Sequence, residues 1–156
     1  MANSRRLSIL LALQTALRAI LGASYHYPVT DPDNVSLDVT MNLMTVSGAD
    51  VPLYMIEPTP EGDKDFHPGM HMVERFRINI FARYDAAHAD AGARAQVWED
   101  LAADIERALT VDVTLGGLVY DTRVLVPQPF VGTGSPIVIL VQPIEVRVHR
   151  EYGVPE

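Results

Sequence analysis

Residues 72–84 read MVERFRINIFARY, and apolar and polar side chains alternate along them. This period of two is typical of a β-strand that packs one face against a core. At ~3.3 Å per residue the strand spans roughly 45 Å, whereas a typical strand has about 5 or 6 residues. The core-facing positions are Phe76, Ile78, Ile80, Ala82 and Tyr84, and the opposite positions are Arg75, Arg77, Asn79 and Arg83, with Phe81 interrupting them.

Further strands are predicted on both sides of this stretch. Residues 137–150 form a second long strand, in which Pro143 indicates an edge position or a bulge. Residues 35–43 alternate cleanly and predict a half-buried strand, with 51–57 as its hairpin partner. Residues 118–126 predict a short returning strand.

Two amphipathic helices complete the pattern. The first begins near Asn3 or Ser4 and ends at Gly22. Its apolar side is Ile9, Leu10, Leu13, Leu17, Ile20 and Leu21. Arg5 and Arg6 before a run of leucines also resemble the start of a signal peptide. However, the apolar segment of a signal peptide has no reason to place its apolar residues on one side of a helix only, as they are placed here. The second helix covers 90–109. Its apolar stripe is Trp98, Leu101, Ala102, Ile105, Ala108 and Leu109, and its outward side is Gln96, Glu99, Asp100, Asp104, Glu106 and Arg107.

The sequence therefore predicts an α+β fold. We expect a mainly antiparallel sheet of four to five strands, some unusually long, packed against two amphipathic helices. A length of 156 residues suits one domain over 1–156. Within it, the polar and turn-rich residues 58–71 predict a flexible loop insertion.

The charge balance argues against nucleic-acid recognition. The net charge is −8, Lys64 is the only lysine, and there is no cysteine. A protein that neutralises phosphates needs a basic surface. No stretch is apolar for the ~18 residues that a membrane helix needs, so no membrane partner is expected.

No catalytic, metal or cofactor site is predicted, and the chain is expected not to be an enzyme. His67 and His71 have the spacing of a helical metal site, but Pro68-Gly69 rules out a helix. The pairs Asp63/Asp65 and Glu99/Asp100 fit a solvated acidic surface better than acid–base chemistry. Gly116-Gly117 follows a helix, which is the reverse of a phosphate-binding loop.

Two contact surfaces are predicted instead. Strands longer than two helices can cover have surplus surface, which another copy of the chain could cover. The candidate partner-contact loop comprises Asp63, Lys64, Asp65, Phe66, His67, Met70 and His71. The candidate subunit-interface strand face comprises Arg75, Arg77, Phe81 and Arg83. A rival interpretation makes the chain a small dimeric anion-binding protein or enzyme that uses Arg75 and Arg77.

The order of elements resembles that of the tail terminator (tail completion) proteins of long-tailed bacteriophages. The most similar passage runs from Ala108-Leu109 through Asp112-Val-Thr-Leu115-Gly116-Gly117-Leu118-Val119. In residues 58–71 nothing matches residue by residue.

This resemblance implies a non-enzymatic virion subunit in the tail or neck, assembled in the host cytoplasm. It implies a homohexameric ring that caps the tail tube, ends its polymerisation and joins it to the head connector. Its partners would be the tail tube ring, a head-completion protein and DNA sliding through the lumen. A head–tail joining or neck protein of the same assembly is the nearest alternative.

Overall fold

The computed structural model describes residues 4–37, 52–67, 71–86, 91–130 and 137–151. Two helices and six strands form one sheet with a helical layer on one side. The helices are α1 (Arg5–Arg18) and α2 (Ala91–Thr110), and the strands are β1 (Val35–Ser36), β2 (Leu53–His67), β3 (His71–Asp85), β4 (Asp121–Val124), β5 (Gln128–Phe130) and β6 (Ile137–Glu151).

The predicted α+β class is confirmed, and three of the strands are long. The sheet order is β1-β2-β3-β6-β4, with β5 beside β4 on the same edge of β6. All pairs are antiparallel except β1 with β2. The described part has six strands rather than four to five, because β5, which has only three residues, was not predicted. Strands β2, β3 and β6 each have 15 residues, which corresponds to about 50 Å.

The main core lies between the helices and one sheet face. In α1, Ile9, Leu13 and Leu17 recur every four residues and are buried. The prediction that Leu21 shares this side is wrong, because the helix ends at Arg18 and Leu21 is exposed. In α2, Leu101 and Ile105 lead the predicted stripe, which is buried except for the half-exposed Trp98. The sheet contributes Tyr54, Ile56, Ile78, Ile80, Ala82, Leu140, Ile144, Val146 and Val148.

The predicted loop over 58–71 is wrong for residues 58–67 and for His71. Strand β2 continues to His67 and β3 begins at His71, with a bulge between Pro58 and Gly62. Within the described chain, β2 has no neighbour on its outer edge beyond Met55. A proline on such an edge can lack its N–H without breaking the ladder to β3, so prolines did not exclude a strand here.

Two shorter predictions also need correction. Strand β1 pairs with β2 in parallel, Val35 opposite Tyr54, rather than as an antiparallel hairpin. The rest of the predicted strand, residues 38–43, lies outside the described residues. The strand predicted over 118–126 is limited to Asp121–Val124, because residues before it form turns closed by the bond from Val119 N–H to Thr114 O.

Helix α1 also ends earlier than predicted. The Ser4 hydroxyl caps it by accepting from Leu7 N–H, but the last helical residue is Arg18 rather than one next to Gly22. The chain leaves the helix there because Ile20 enters the core and its carbonyl accepts from Val29 N–H at 2.7 Å.

Pro143 lies inside β6, between β3 and the β4/β5 edge. In an extended strand one residue's N–H and C=O point to the same neighbour. Pro143 O accepts from Leu125 N–H at 3.0 Å, so its missing N–H faces the β4/β5 side. That is where the edge pairing is interrupted between β4 and β5, while the ladder to β3 runs on unbroken.

Asp104 was predicted to face outward, and this is wrong. Asp104 is only 1% exposed. One carboxylate oxygen accepts from His26 N–H at 3.0 Å, and the other accepts from Tyr27 N–H at 2.7 Å. The carboxylate thus fixes the connector after α1 to α2, and these bonds offset the cost of burying it.

We expect Asp104→Ala to lower the free energy of unfolding by roughly 3 kcal/mol, because two connector N–H groups lose a charged acceptor. Urea unfolding would measure the loss. The control is Glu106→Ala on the exposed side of α2, which should change it by less than ~0.5 kcal/mol. Equal small losses for both variants would contradict the role given to Asp104.

Candidate functional site

The sheet face opposite the helices, called here the far face, carries the candidate interface residues. Because side chains alternate, the odd-numbered residues of β3 and β6 share this face. None of the described elements forms a layer over it that matches the helical one. Its two ends differ in chemistry.

One end of the far face is charged. Arg77 of β3 stands opposite Glu145 of β6, and Arg75 stands opposite Arg147. Two ion pairs each join residues that are two apart on the same strand. On β6, Arg147 Nε lies 3.1 Å from Glu145 Oε1, and on β4, Arg123 Nε lies 3.1 Å from Asp121 Oδ2. The arginines therefore stand among acidic neighbours on the same strands. Among the described residues, this arrangement does not form an open pocket for a small anion.

The other end of the far face is apolar and encloses Arg83. Met55 and Ile139 form a small second cluster there, with Phe81 and Ile137 packed against it. Arg83 stands opposite Leu53 and Ile139 and is only 3% exposed. Arg83 thus lies on the predicted face but is buried there, whereas Arg77 is exposed and Phe81 and Arg75 are half-buried. The role of these residues in a subunit interface stays a prediction.

The candidate partner-contact residues lie along the β2/β3 hairpin. Backbone pairing places Asp63 opposite Arg75, Lys64 opposite Glu74, and His67 opposite His71. The Lys64 ammonium lies 3.7 Å from the buried Glu74 carboxylate. Asp65 and Phe66 continue β2 towards the tip, and Met70 lies outside the described residues. Their role in contacting a partner stays a prediction.

The nearest approach to acid–base chemistry is at His26. Its Nδ1 lies 3.0 Å from Asp104 Oδ1, and its Nε2 lies 3.8 Å from Asp100 Oδ1. Both ring nitrogens are thus directed at carboxylates of α2, and among the described residues no nucleophile hydrogen-bonds to the ring. Burial, and next the nearby Asp100 carboxylate, raise the pKa of Tyr27. This arrangement joins the connector to α2.

Within the ranges described above, no three His, Asp or Glu side chains lie close enough together to hold a metal ion. The same ranges contain no helix that is long and apolar enough to cross a lipid bilayer.

The turn after α2 is held by Asp112. Its carboxylate accepts from the Thr114 hydroxyl at 2.6 Å, from Gly116 N–H at 2.6 Å and from Thr114 N–H at 3.0 Å. These bonds, with the Thr114 hydroxyl first, lower the pKa of Asp112. Leu115, Gly116 and Gly117 follow with φ of 49°, 71° and 82°. Three successive left-handed residues are unusual, and only glycine adopts that conformation freely.

A groove of about 530 Å³ opens beside this turn, between α1 and the end of α2. Alanines make up much of its lining, and Tyr25 lies at one end. This groove could not be predicted from the sequence, because its residues come from three separated segments. The lining is Ala12, Thr15, Ala16, Ala19, Tyr25, Ala108, Val111, Asp112, Leu115 and Gly116.

Comparison with known proteins adds no relative. No protein-family model matches the chain, and no curated protein matches it. The resemblance to tail terminator proteins thus rests on the passage 108–119 and on the order of elements.

We expect Gly116→Ala to lower the free energy of unfolding by about 1–2 kcal/mol, because an L-residue with a Cβ resists a positive φ. A new Cβ would meet no atom within 4 Å, so the loss is conformational rather than steric. Gly116→Asn is the control, since asparagine tolerates this region better and should lose less. Thermal and urea unfolding measure both variants, and equal stability of wild type and the alanine variant would contradict the left-handed turn.

The stabilisation by Asp112 should depend on pH. Because its folded pKa lies below the ordinary 3.8, the contribution is full above pH ~4 and is lost as the pH falls through the folded value. The difference in unfolding free energy between wild type and Asp112→Asn should therefore shrink as the pH is lowered from 7 to 2. A difference that stays constant over this range would contradict the hydrogen bonds assigned to the carboxylate.

Proposed function

We propose that this protein is a structural, non-enzymatic subunit of a ring of the phage tail terminator class. In this role it would cap a tail tube, end its polymerisation and join it to the head connector. DNA would pass through the lumen without specific binding. A neck protein of the same assembly remains the nearest alternative.

The observation that carries the proposal is the mismatch in length between sheet and helices. Three strands of 15 residues extend about 50 Å, whereas helices of 14 and 20 residues extend about 21 and 30 Å. The far face has no matching layer among the described elements. Strands that extend past the helices offer surface that suits packing between subunits.

The chemistry of the far face also favours a protein partner over a small ligand. Exposed Arg77 and Arg123 stand among Glu145 and Asp121 rather than converging on an anion site. Arginine is enriched where protein surfaces meet, relative to the rest of a protein surface. Within the proposed ring, we expect the charged end of this face to contact a neighbour.

The mass of the assembly in solution tests the proposal. Light scattering after size exclusion, over a range of concentrations and salt, should show a species near six times the chain mass of 17.2 kDa. Electron microscopy of that species should show closed rings. A monomer under all conditions would refute the ring, and a tight dimer whose melting temperature rises with phosphate would favour the anion-binding alternative instead.

A further inference from the structure

Two exposed arginines, called here the arginine row, stand side by side across the charged end of the far face. Arg77 of β3 and Arg123 of β4 each stand opposite Glu145 of β6. Neighbouring strands lie ~4.8 Å apart, which places the two arginines about 10 Å from each other. Both are exposed, whereas Glu145 between them is half-buried and already binds Arg147. Arg123 binds Asp121 through Nε alone within the described chain, so its terminal amino groups remain for a further partner.

Two exposed glutamates on the outer side of α2, called here the glutamate row, have the same spacing. Glu99 and Glu106 are about two turns apart, so they lie on one side of the helix. At ~1.5 Å per residue they are about 10 Å apart. Within the described chain neither side chain has a hydrogen bond or an ion pair. Between them lies Ala103, which is exposed and small enough to let another surface approach the helix closely.

The charge balance of the chain makes this match informative. Lysine and arginine total 12 against 20 aspartate and glutamate residues, which gives a net charge of −8. Two copies that meet through acidic surfaces therefore repel each other. At the arginine row, two exposed positive charges flank one glutamate that is already paired. A second copy can thus present its glutamate row there without repulsion, and the equal spacing allows both pairs to form at once.

The two rows lie on opposite sides of the molecule. The apolar stripe of α2 packs on the sheet face opposite the far face, so the outer side of the helix points away from the sheet. A contact between the far face of one copy and α2 of another therefore joins two different surfaces. Each copy keeps one of each kind for a further neighbour. Head-to-tail contacts of this kind generate closed rings when the rotation between copies closes.

We propose that the arginine row of one copy, Arg77 and Arg123, binds the glutamate row of the next copy, Glu99 and Glu106. This inference rests on the proposed ring, and it names the surface of the neighbour that the charged end of the far face contacts. Helix α2 of the neighbour crosses β3, β6 and β4, with Ala103 over Glu145. The contact should weaken as salt is raised from about 0.1 to 1 M, because the screening length falls from about 10 to 3 Å.

Charge reversal tests each row separately. Arg77→Glu combined with Arg123→Glu makes both rows of a chain negative, and Glu99→Arg combined with Glu106→Arg makes both rows positive. Like charges that face each other across a contact repel, so each reversed chain alone should associate at least ~10-fold more weakly than wild type. Light scattering over a concentration series measures the association, and circular dichroism melts check the fold. The control is Asp33→Arg, which reverses an exposed charge outside both rows and should assemble like wild type.

The decisive measurement mixes the two reversed chains in equal amounts. Every contact between unlike chains then joins a positive row to a negative row, whichever of the two chains contributes α2. The chains should therefore alternate and recover the mass of the wild-type assembly, although neither assembles alone. A ring of six can close in this way because it holds an even number of chains.

A neutral variant replaces the arginine reversal if the reversed chain loses its thermal transition. Arg77→Gln combined with Arg123→Gln removes the two charges without creating repulsion. Its association should be weaker than that of wild type at about 0.1 M salt and should change less as salt is raised, because the attraction that salt screens is gone. A salt dependence equal to that of wild type would overturn the contact.

Wild-type assembly by either reversed chain, or a mixture that stays unassembled, would overturn this contact and leave the proposed function standing. A wild-type chain that is monomeric under all conditions would refute the proposed function, and the contact with it.

Discussion

The structure depends on β3 being paired with long strands on both edges. Strand β6 pairs with all of β3, whereas β2 pairs with it from His71 to Arg83 except at the bulge opposite Arg77, whose carbonyl accepts from the Thr59 hydroxyl instead. Because these neighbours bind the backbone of β3, the alternation of its side chains decides the rest. One face supplies Ile78 and Ile80 to the helical core, and the other supplies arginines to the far face. Helices, turns and edges are arranged around this three-stranded centre.

Sequence reasoning was most reliable where a pattern was long and local. The strands around 72–84 and 137–150 and both helices were predicted within a few residues, because periodicity over such lengths reports one buried face directly. It failed for residues 58–67, where prolines and charges normally indicate a loop. At a sheet edge, prolines cost no hydrogen bond to the neighbouring strand. Whether a strand lies at an edge depends on the whole sheet, so the local sequence does not reveal it.

The buried charges were missed for a related reason. On its helix Asp104 follows an outward pattern, and Arg83 follows the polar alternation of its strand, yet both are almost fully buried. Asp104 is buried because the connector folds back onto α2 and donates two N–H groups, which are 77 and 78 residues away in sequence. Arg83 is buried among apolar residues of neighbouring strands. For the candidate contact residues, the sequence could predict only their positions along the strands. The groove could not be predicted, since it is assembled from separate segments.

Pro143 has a further consequence, for the way the β4/β5 edge of the sheet meets other chains. A continuous edge along β6 would present a long row of unpaired backbone groups, the kind of template on which chains add strands without limit. The missing N–H instead leaves two strands of four and three residues, β4 and β5, separated by a bend. Neither is long enough to recruit a stable foreign strand. A single imino acid in the middle of the sheet thus makes the β4/β5 edge a poor template for added strands.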